Sequence, residues 1–254
     1  MADYTINGTC TLPSEGKVYN MVVDPQIKLR SMSTNDEMKR LSPTDTPYKT
    51  LCDIIDDCTL SSPGISSYDM CLGDYQFLLY KLREVTYGRN YPLSNYCPYC
   101  GCKNTATLDL EILPIKKYNK EDFEKYSTFK LPVSNKTVTL RPQTPRILDK
   151  IDAQVKEFQK KTGDKTLNPE ILFSITNLVE TIDGREPNLV TFEQWVRDLP
   201  MMDTNYILTY GQKLNNLIGI DTDLQMECET CGLEYDTFLQ TTLEFFRPAL
   251  DIWW

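Results

Sequence analysis

The sequence predicts an α+β chain of two tandem related repeats, each closing on a zinc-knuckle hairpin. The two are joined by one shared zinc-ribbon-like site of four cysteines. Three observations carry this. A glycine, eight residues and Cys-x-x-Cys-Gly occur twice, at Gly88…Cys97-Pro98-Tyr99-Cys100-Gly101 and Gly219…Cys228-Glu229-Thr230-Cys231-Gly232. Ahead of each knuckle the same signals recur in the same order. Strand-like runs beside turn residues and helical 3.6-residue periodicity both appear in each copy. The expected organisation is a first repeat over 1–113, a connector over 114–128, and a second repeat over 129–254 with a helical insertion and an aromatic tail.

Each repeat opens on a Leu-Pro turn, Leu12-Pro13-Ser14-Glu15-Gly16-Lys17 or Leu131-Pro132-Val133-Ser134-Asn135-Lys136. Gly16 and Asn135 are the residue types that best tolerate positive φ. Strand-like Thr9–Thr11 and Val18-Tyr19 flank the first turn, Phe129 and Thr137–Leu140 the second, so both read as β-hairpins. Arg30…Ser33 and Arg141…Thr144 then lead into helices, with Thr34…Glu37 a candidate capping box. Leu51, Ile54, Ile55 and Cys58 share one helical face, as do Ile171, Leu172, Ile175, Leu178, Val179 and Ile182.

A last helix follows, marked by Tyr75, Leu78, Leu79, Leu82 and Thr86 in one copy and by Ile207, Tyr210, Leu214 and Leu217 in the other. Gly88 and Gly219 are the expected C-caps. Strand-like Thr105–Leu113 and Tyr235–Phe246 succeed the knuckles. The second copy adds an amphipathic face of Ile147, Ile151, Val155 and Phe158, and a capping box at Thr191…Gln194 before Trp195.

The 254 residues, 41% hydrophobic and 25% charged, suit one large or two ordinary domains. No apolar run reaches the roughly 18 residues of a membrane span. Neither a basic start nor an apolar stretch marks an export signal, so nine cysteines point to a reducing compartment and to metal or redox chemistry. A net charge of -9 opposes general binding of phosphate backbones. Histidine is absent, which removes Ser-His-Asp and Cys-His catalysis and every His-containing metal set.

Four thiolates from Cys97, Cys100, Cys228 and Cys231 are the number a closed structural Zn²⁺ site needs. The two intervening residues let both sulfurs of a knuckle face one ion, and the following glycine frees the turn. Cys102 lies too close to Cys100 for the usual pair and reads as a bystander, with substitution as a ligand the lesser alternative. Cys-Pro-x-Cys also occurs in dithiol oxidoreductases, but there it opens a helix after a strand, whereas Cys97 follows a helix. Cys10, Cys52, Cys58 and Cys71 read as core filler.

Asp53–Asp57 reads as the solvated face of a helix, and Asp221-Thr222-Asp223 is too sparse for an EF-hand. No catalytic constellation emerges, and the expectation is a protein that is not an enzyme. The aromatic C-terminus, Phe245-Phe246-Arg247-Pro248 to Asp251-Ile252-Trp253-Trp254, packs on the chain's own core or serves as a partner anchor. In the second reading Phe245, Phe246, Arg247, Trp253 and Trp254 bind the partner.

The ordered set Leu12-Pro-Ser-x-Gly-Lys17, Arg30-Ser-Met-Ser-Thr-Asn-Asp-Glu37, Asp74-x-x-Phe77-Leu78-Leu79-x-x-Leu82-Arg83-x-x-Thr86-Tyr87-Gly88, Cys97-Pro-x-Cys100 and Phe245-Phe246-Arg247-Pro248 resembles the baseplate proteins of contractile-tailed bacteriophages related to the T4-type baseplate hub assembly chaperone. The resemblance implies a non-enzymatic protein, made in the infected host's cytoplasm, that helps build the tail baseplate or remains in the virion and contacts other tail subunits. The zinc expectation rests on the cysteines and not on the family. The alternative is a zinc-ribbon regulator that binds nucleic acid or the transcription machinery.

Overall fold

The computed structural model describes residues 6–163, 168–239 and 243–246. The first part of the chain forms β1 (Asn7–Thr11), β2 (Gln26–Arg30), α1 (Thr34–Arg40), α2 (Pro47–Cys58), α3 (Leu72–Tyr87), β3 (Asn90–Tyr96) and β4 (Lys103–Asp109). It continues through β5 (Ile115–Lys116), α4 (Lys120–Ser127), β6 (Thr128–Lys130), β7 (Thr137–Leu140), α5 (Pro145–Thr162), α6 (Glu170–Leu178) and β8 (Val179–Ile182). The last elements are α7 (Leu189–Arg197), α8 (Met201–Asn215), β9 (Gly219–Ile220), β10 (Asp223–Glu227) and β11 (Glu234–Phe238), with a 3₁₀ turn at Leu243–Phe246. The fold is α+β. Its sheets are small and antiparallel: the pairs β1–β2, β3–β4, β5–β9 and β10–β11, and a three-stranded β6–β7–β8.

The described residues form two large apolar cores and a small third cluster around Cys97, Cys228 and Tyr235. One gathers Ile27, Leu29, Ile55, Leu78 and Leu82, and is completed from the far end of the chain by Leu239, Phe245 and Phe246. The other gathers Val138, Leu140, Ile175, Leu178, Ile207 and Leu214. Arg83, 1% exposed, fixes the returning segment: Nε donates to the Phe245 carbonyl at 3.0 Å, and Nη1 and Nη2 donate to the carbonyls of Gly88 and Asn90. Its guanidinium also lies 4.9 Å from the Tyr91 ring centroid. This buried cation has no ion pair among the described residues and is tolerated because three carbonyls replace its water.

Both Leu-Pro turns dock on a buried aspartate in the first turn of a helix. Asp74 of α3 accepts from the Ser14 N–H at 3.0 Å, the Ser14 hydroxyl and the Tyr19 hydroxyl. Asp203 of α8 accepts from the N–H groups of Val133 and Ser134, each at 2.9 Å. The seam between the cores uses a third aspartate. Asp149 of α5 accepts from the N–H groups of Tyr48 and Lys49 and from the Tyr68 hydroxyl, so it caps the first turn of α2, whose own Thr46 makes no side-chain cap. Nearby, a Cβ on Gly73 would stand 2.2 Å from the Ile218 carbonyl oxygen, so this backbone approach admits only glycine.

The structure corrects several expectations. β1 pairs with β2 rather than with Val18-Tyr19, because Tyr19 is drawn to Asp74 and the loop closes by Leu12 N–H to the Pro25 carbonyl. The second turn is the hairpin expected, β6 against β7. The first helix is capped one residue earlier, by a Ser33–Asp36 box, and α7 is capped by Asn188 instead of Thr191. Val179 and Ile182 leave the helical face for β8, where pairing with β7 overrides the periodicity, and Ile171 is exposed. Gly88 caps α3, but α8 is capped by Asn216, and Gly219 enters β9. Within 114–128, β5 pairs with β9 and α4 packs on α8.

The buried aspartates have measurable consequences. Asp149→Ala leaves two N–H groups at the start of α2 and one hydroxyl unpaired, and should cost about 3 kcal/mol in urea unfolding; a loss within error of zero would show that α2 needs no cap from α5. Burial opposes ionisation of Asp203, yet the Val133 and Ser134 N–H groups outweigh it and hold its carboxyl below the usual range. Its stabilisation is therefore full above the unfolded carboxyl value, about pH 4, and is lost as pH falls through the folded value. The stability gap between wild type and Asp203→Asn should shrink with acidification; a constant gap would refute the assignment.

Candidate metal centre

The two knuckles are the tips of hairpins β3–β4 and β10–β11, between Tyr96 and Lys103 in one and between Glu227 and Glu234 in the other. Their backbones fold alike. The Cys97 N–H donates to the Cys102 carbonyl and the Gly101 N–H to the Cys97 carbonyl, each at 2.9 Å; Cys228–Leu233 and Gly232–Cys228 repeat these bonds at 3.0 and 2.8 Å. Gly101 and Gly232 both take the left-handed conformation the turn requires, with φ of 72° and 68°.

The tips meet. The Sγ atoms of Cys97, Cys100, Cys228 and Cys231 all lie within 4.8 Å of one another. Cys97 is 3.8 Å from Cys231 and Cys100 is 3.5 Å from Cys228. Exchanging Cys97 with Cys228 and Cys100 with Cys231 turns one of these contacts into the other. A tetrahedral thiolate site with metal–sulfur bonds of about 2.3 Å has sulfur–sulfur edges of about 3.8 Å, so the four donors suit a single metal ion. Cys97 and Cys228 are buried, while Cys100 and Cys231 face outward.

The surroundings favour anionic sulfur at one position. The Cys231 N–H, opposed by desolvation and aided by the Thr230 N–H and the thiols of Cys100 and Cys231, brings the Cys228 thiol down to about 6. Cys100 moves the other way: the Cys102 N–H favours its thiolate, but desolvation and the neighbouring thiols prevail. Four sulfurs this close cannot all ionise without a cation among them. A bound metal ion would resolve that conflict.

Asn104 supports the junction. This buried β4 residue accepts from the Glu229 N–H of the opposite knuckle at 3.2 Å and donates to the Tyr235 hydroxyl at 3.2 Å. Across the strand, Asn95 donates to the Thr237 hydroxyl at 3.0 Å. No spacing rule flags these residues, since their partners lie in the other hairpin.

The remaining cysteines stand apart from the four. Cys102 lends its carbonyl to the turn, the part Leu233 plays in the second knuckle, and its sulfur lies outside the cluster. Burial pushes the thiol of Cys10 up to about 11 and those of Cys52, Cys58 and Cys71 up to about 12, as inert core residues. On α2, Asp53 and Asp57 pair with Lys49 and Lys39, and Asp56 accepts from Ser66 and Ser67. Of the aromatic residues expected as partner anchors, Phe245 and Phe246 are 0% and 3% exposed, Phe245 packed on Tyr80, Tyr91 and Arg83 and Phe246 edge-on against Phe245, and in this conformation they offer no surface. Arg247, Trp253 and Trp254 lie outside the described residues.

Replacing Asn104 by Ala keeps all four sulfurs but removes the bonds that hold the second knuckle against the first. Cobalt(II) titration, followed by thiolate charge-transfer absorption, should show about 10- to 100-fold weaker affinity; equal affinity would mean that the tips meet without this residue.

No curated protein and no solved structure matches the sequence. A sequence family described as T4 bacteriophage base plate protein matches residues 3–247. That span contains both cores, both Leu-Pro turns and all four clustered cysteines, and by it the chain belongs to the T4 bacteriophage base plate protein family.

Proposed function

We propose that this chain is a non-enzymatic component or hub assembly factor of the phage tail baseplate, which binds other tail subunits and is held in shape by one structural Zn²⁺. The observation that carries the role is the family match over 3–247, nearly the whole chain. The all-sulfur donor set and the 3.5 and 3.8 Å spacings support zinc at Cys97, Cys100, Cys228 and Cys231. The chain is assembled into the virion tail from the host cytoplasm.

In this reading the halves are related repeats over 1–113 and 129–254, with 114–128 between them. The two aspartate-docked turns and the two like-folded knuckles support that relation. The ion is then a staple. It joins hairpins 131 residues apart, counted from Cys97 to Cys228, and takes no part in chemistry. Binding of nucleic acid is disfavoured, because residues 214–239, the stretch holding the second knuckle, have six acidic side chains and no Lys or Arg. The outer aromatic residues Trp253 and Trp254, with Arg247, remain the proposed tail anchors for a neighbouring subunit.

Phage carrying a tagged copy of the gene provides the test. Mass spectrometry of purified virions should find the protein in tails or in baseplate precursors, and metal analysis of the chain purified without chelator should find about one zinc per molecule. Cys228→Ser should lose the zinc and unfold at lower temperature. Absence from both tails and precursors would refute the baseplate role, and a metal-free, stable chain would refute the staple.

A further inference from the structure

The second knuckle hairpin carries a charge pattern that its fold does not require. On the outward face of β10–β11 the directly opposed pairs are Asp223 with Phe238, Gln225 with Asp236, and Glu227 with Glu234. All six side chains on this face are exposed. The equivalent positions of β3–β4 pair Pro92 with Thr107, Ser94 with Thr105 and Tyr96 with Lys103, without a carboxylate. The next pair out, Asn90 with Asp109, does bring one, and Arg89 neutralises it at 3.3 Å. One backbone arrangement thus supports both faces, and unrelieved acidity is a property of the second hairpin alone.

That face is costly to the folded state. Like charges directly opposite across an antiparallel pair destabilise it, and Glu227 and Glu234 close the tip that holds the sulfurs of Cys228 and Cys231. Among the described residues no direct ion pair relieves this face. Asp221 pairs with Lys116 at 3.1 Å, but Asp223, Glu227, Glu229, Glu234 and Asp236 form no ion pair among the described residues. Residues 214–239 contribute -6 (six acidic, no basic) to a chain whose net charge is -9.

The same face holds an apolar foothold. Phe238 is 55% exposed, where a strand residue of this size is normally covered. With Asp223 it lines both a cavity of about 440 Å³ beside the first core and an open groove of about 550 Å³ along the hairpin. Tyr48, Tyr75 and Leu79 line the far side of that cavity. Unrelieved carboxylates around an exposed ring beside a cleft are the features of an interface whose other side supplies the cations.

We propose that the outward face of β10–β11 is the docking surface for a basic protein segment of a neighbouring baseplate subunit, Lys or Arg side chains meeting Glu227, Glu234 and Asp236 and an apolar side chain covering Phe238. This rests on the baseplate reading and names the chemistry of the partner. Neutralising the face relieves repulsion in the free chain and removes attraction in the complex, so stability and binding move in opposite directions. A purely structural role for these side chains would move them together.

The test uses the full chain and the phage's other tail subunits, each purified and assayed by biolayer interferometry at low and physiological salt. Glu227→Gln/Glu234→Gln/Asp236→Asn should melt at a higher temperature than wild type, yet bind its subunit about tenfold more weakly and with less salt dependence. Glu121→Gln/Asp122→Asn/Glu124→Gln on α4, the same change in net charge placed elsewhere, should bind like wild type. Equal binding by wild type and the hairpin variant would overturn the proposal alone, and so would a hairpin variant less stable than wild type. Failure of wild type to bind any tail subunit would overturn the baseplate reading, and this proposal with it.

Discussion

Four sulfur atoms from two distant hairpins meet within 4.8 Å, and most of the long-range architecture depends on that convergence. For Cys228 and Cys231 to reach Cys97 and Cys100, the chain beyond α8 must cross back over the first core. It does so at Gly73, where the Ile218 carbonyl leaves no room for a side chain. Having crossed, it supplies Leu239, Phe245 and Phe246 to a core that the first hundred residues leave incomplete. The buried Arg83 then binds the carbonyl of Phe245 and holds the returning segment in place.

Aspartates do the complementary work on the N-terminal sides. Asp74 and Asp203 occupy the third position of α3 and α8, where the helix dipole favours a negative charge, and each ties a Leu-Pro turn to its helix. Their environments are not equivalent. Burial dominates at Asp74 and lifts its carboxyl above the usual range, whereas two N–H donors hold Asp203 below it. One plan therefore responds to acid in opposite senses: ionised Asp203 stabilises its half, while ionised Asp74 is tolerated because three donors surround it. Asp149 uses the same chemistry between the halves, and so ties α2 to α5.

The two knuckles share a backbone arrangement but not a surface. Their internal hydrogen bonds match within 0.1 Å, and their inward residues interlock through Asn104 and Tyr235. Their outward faces differ in charge, without net acidity on β3–β4 and carboxylate-rich on β10–β11. Packing constrains the inner face because a side chain there must fit its counterpart. The outer face of β10–β11 forms no ion pair among the described residues, and its charge is what the proposed docking of a basic segment rests on.

Features with a local cause can be read from the residues in order. The Cys-x-x-Cys-Gly spacing, the glycines needed at positive φ and the helical faces of Ile54, Ile55, Leu78 and Leu82 are legible because neighbours within a few residues enforce them. The grouping of Cys97, Cys100, Cys228 and Cys231 is legible too, since four equivalent thiols in two matched motifs have few other uses. Long-range packing settles the rest. Tyr19 leaves a strand for Asp74, Val179 and Ile182 leave a helix for β8, and Phe245 turns inward toward Arg83. The partners responsible are remote: Asp74 lies 55 residues from Tyr19, and Arg83 lies 162 from Phe245. Periodicity records only near neighbours, so a buried charge that recruits a distant donor leaves no trace in it.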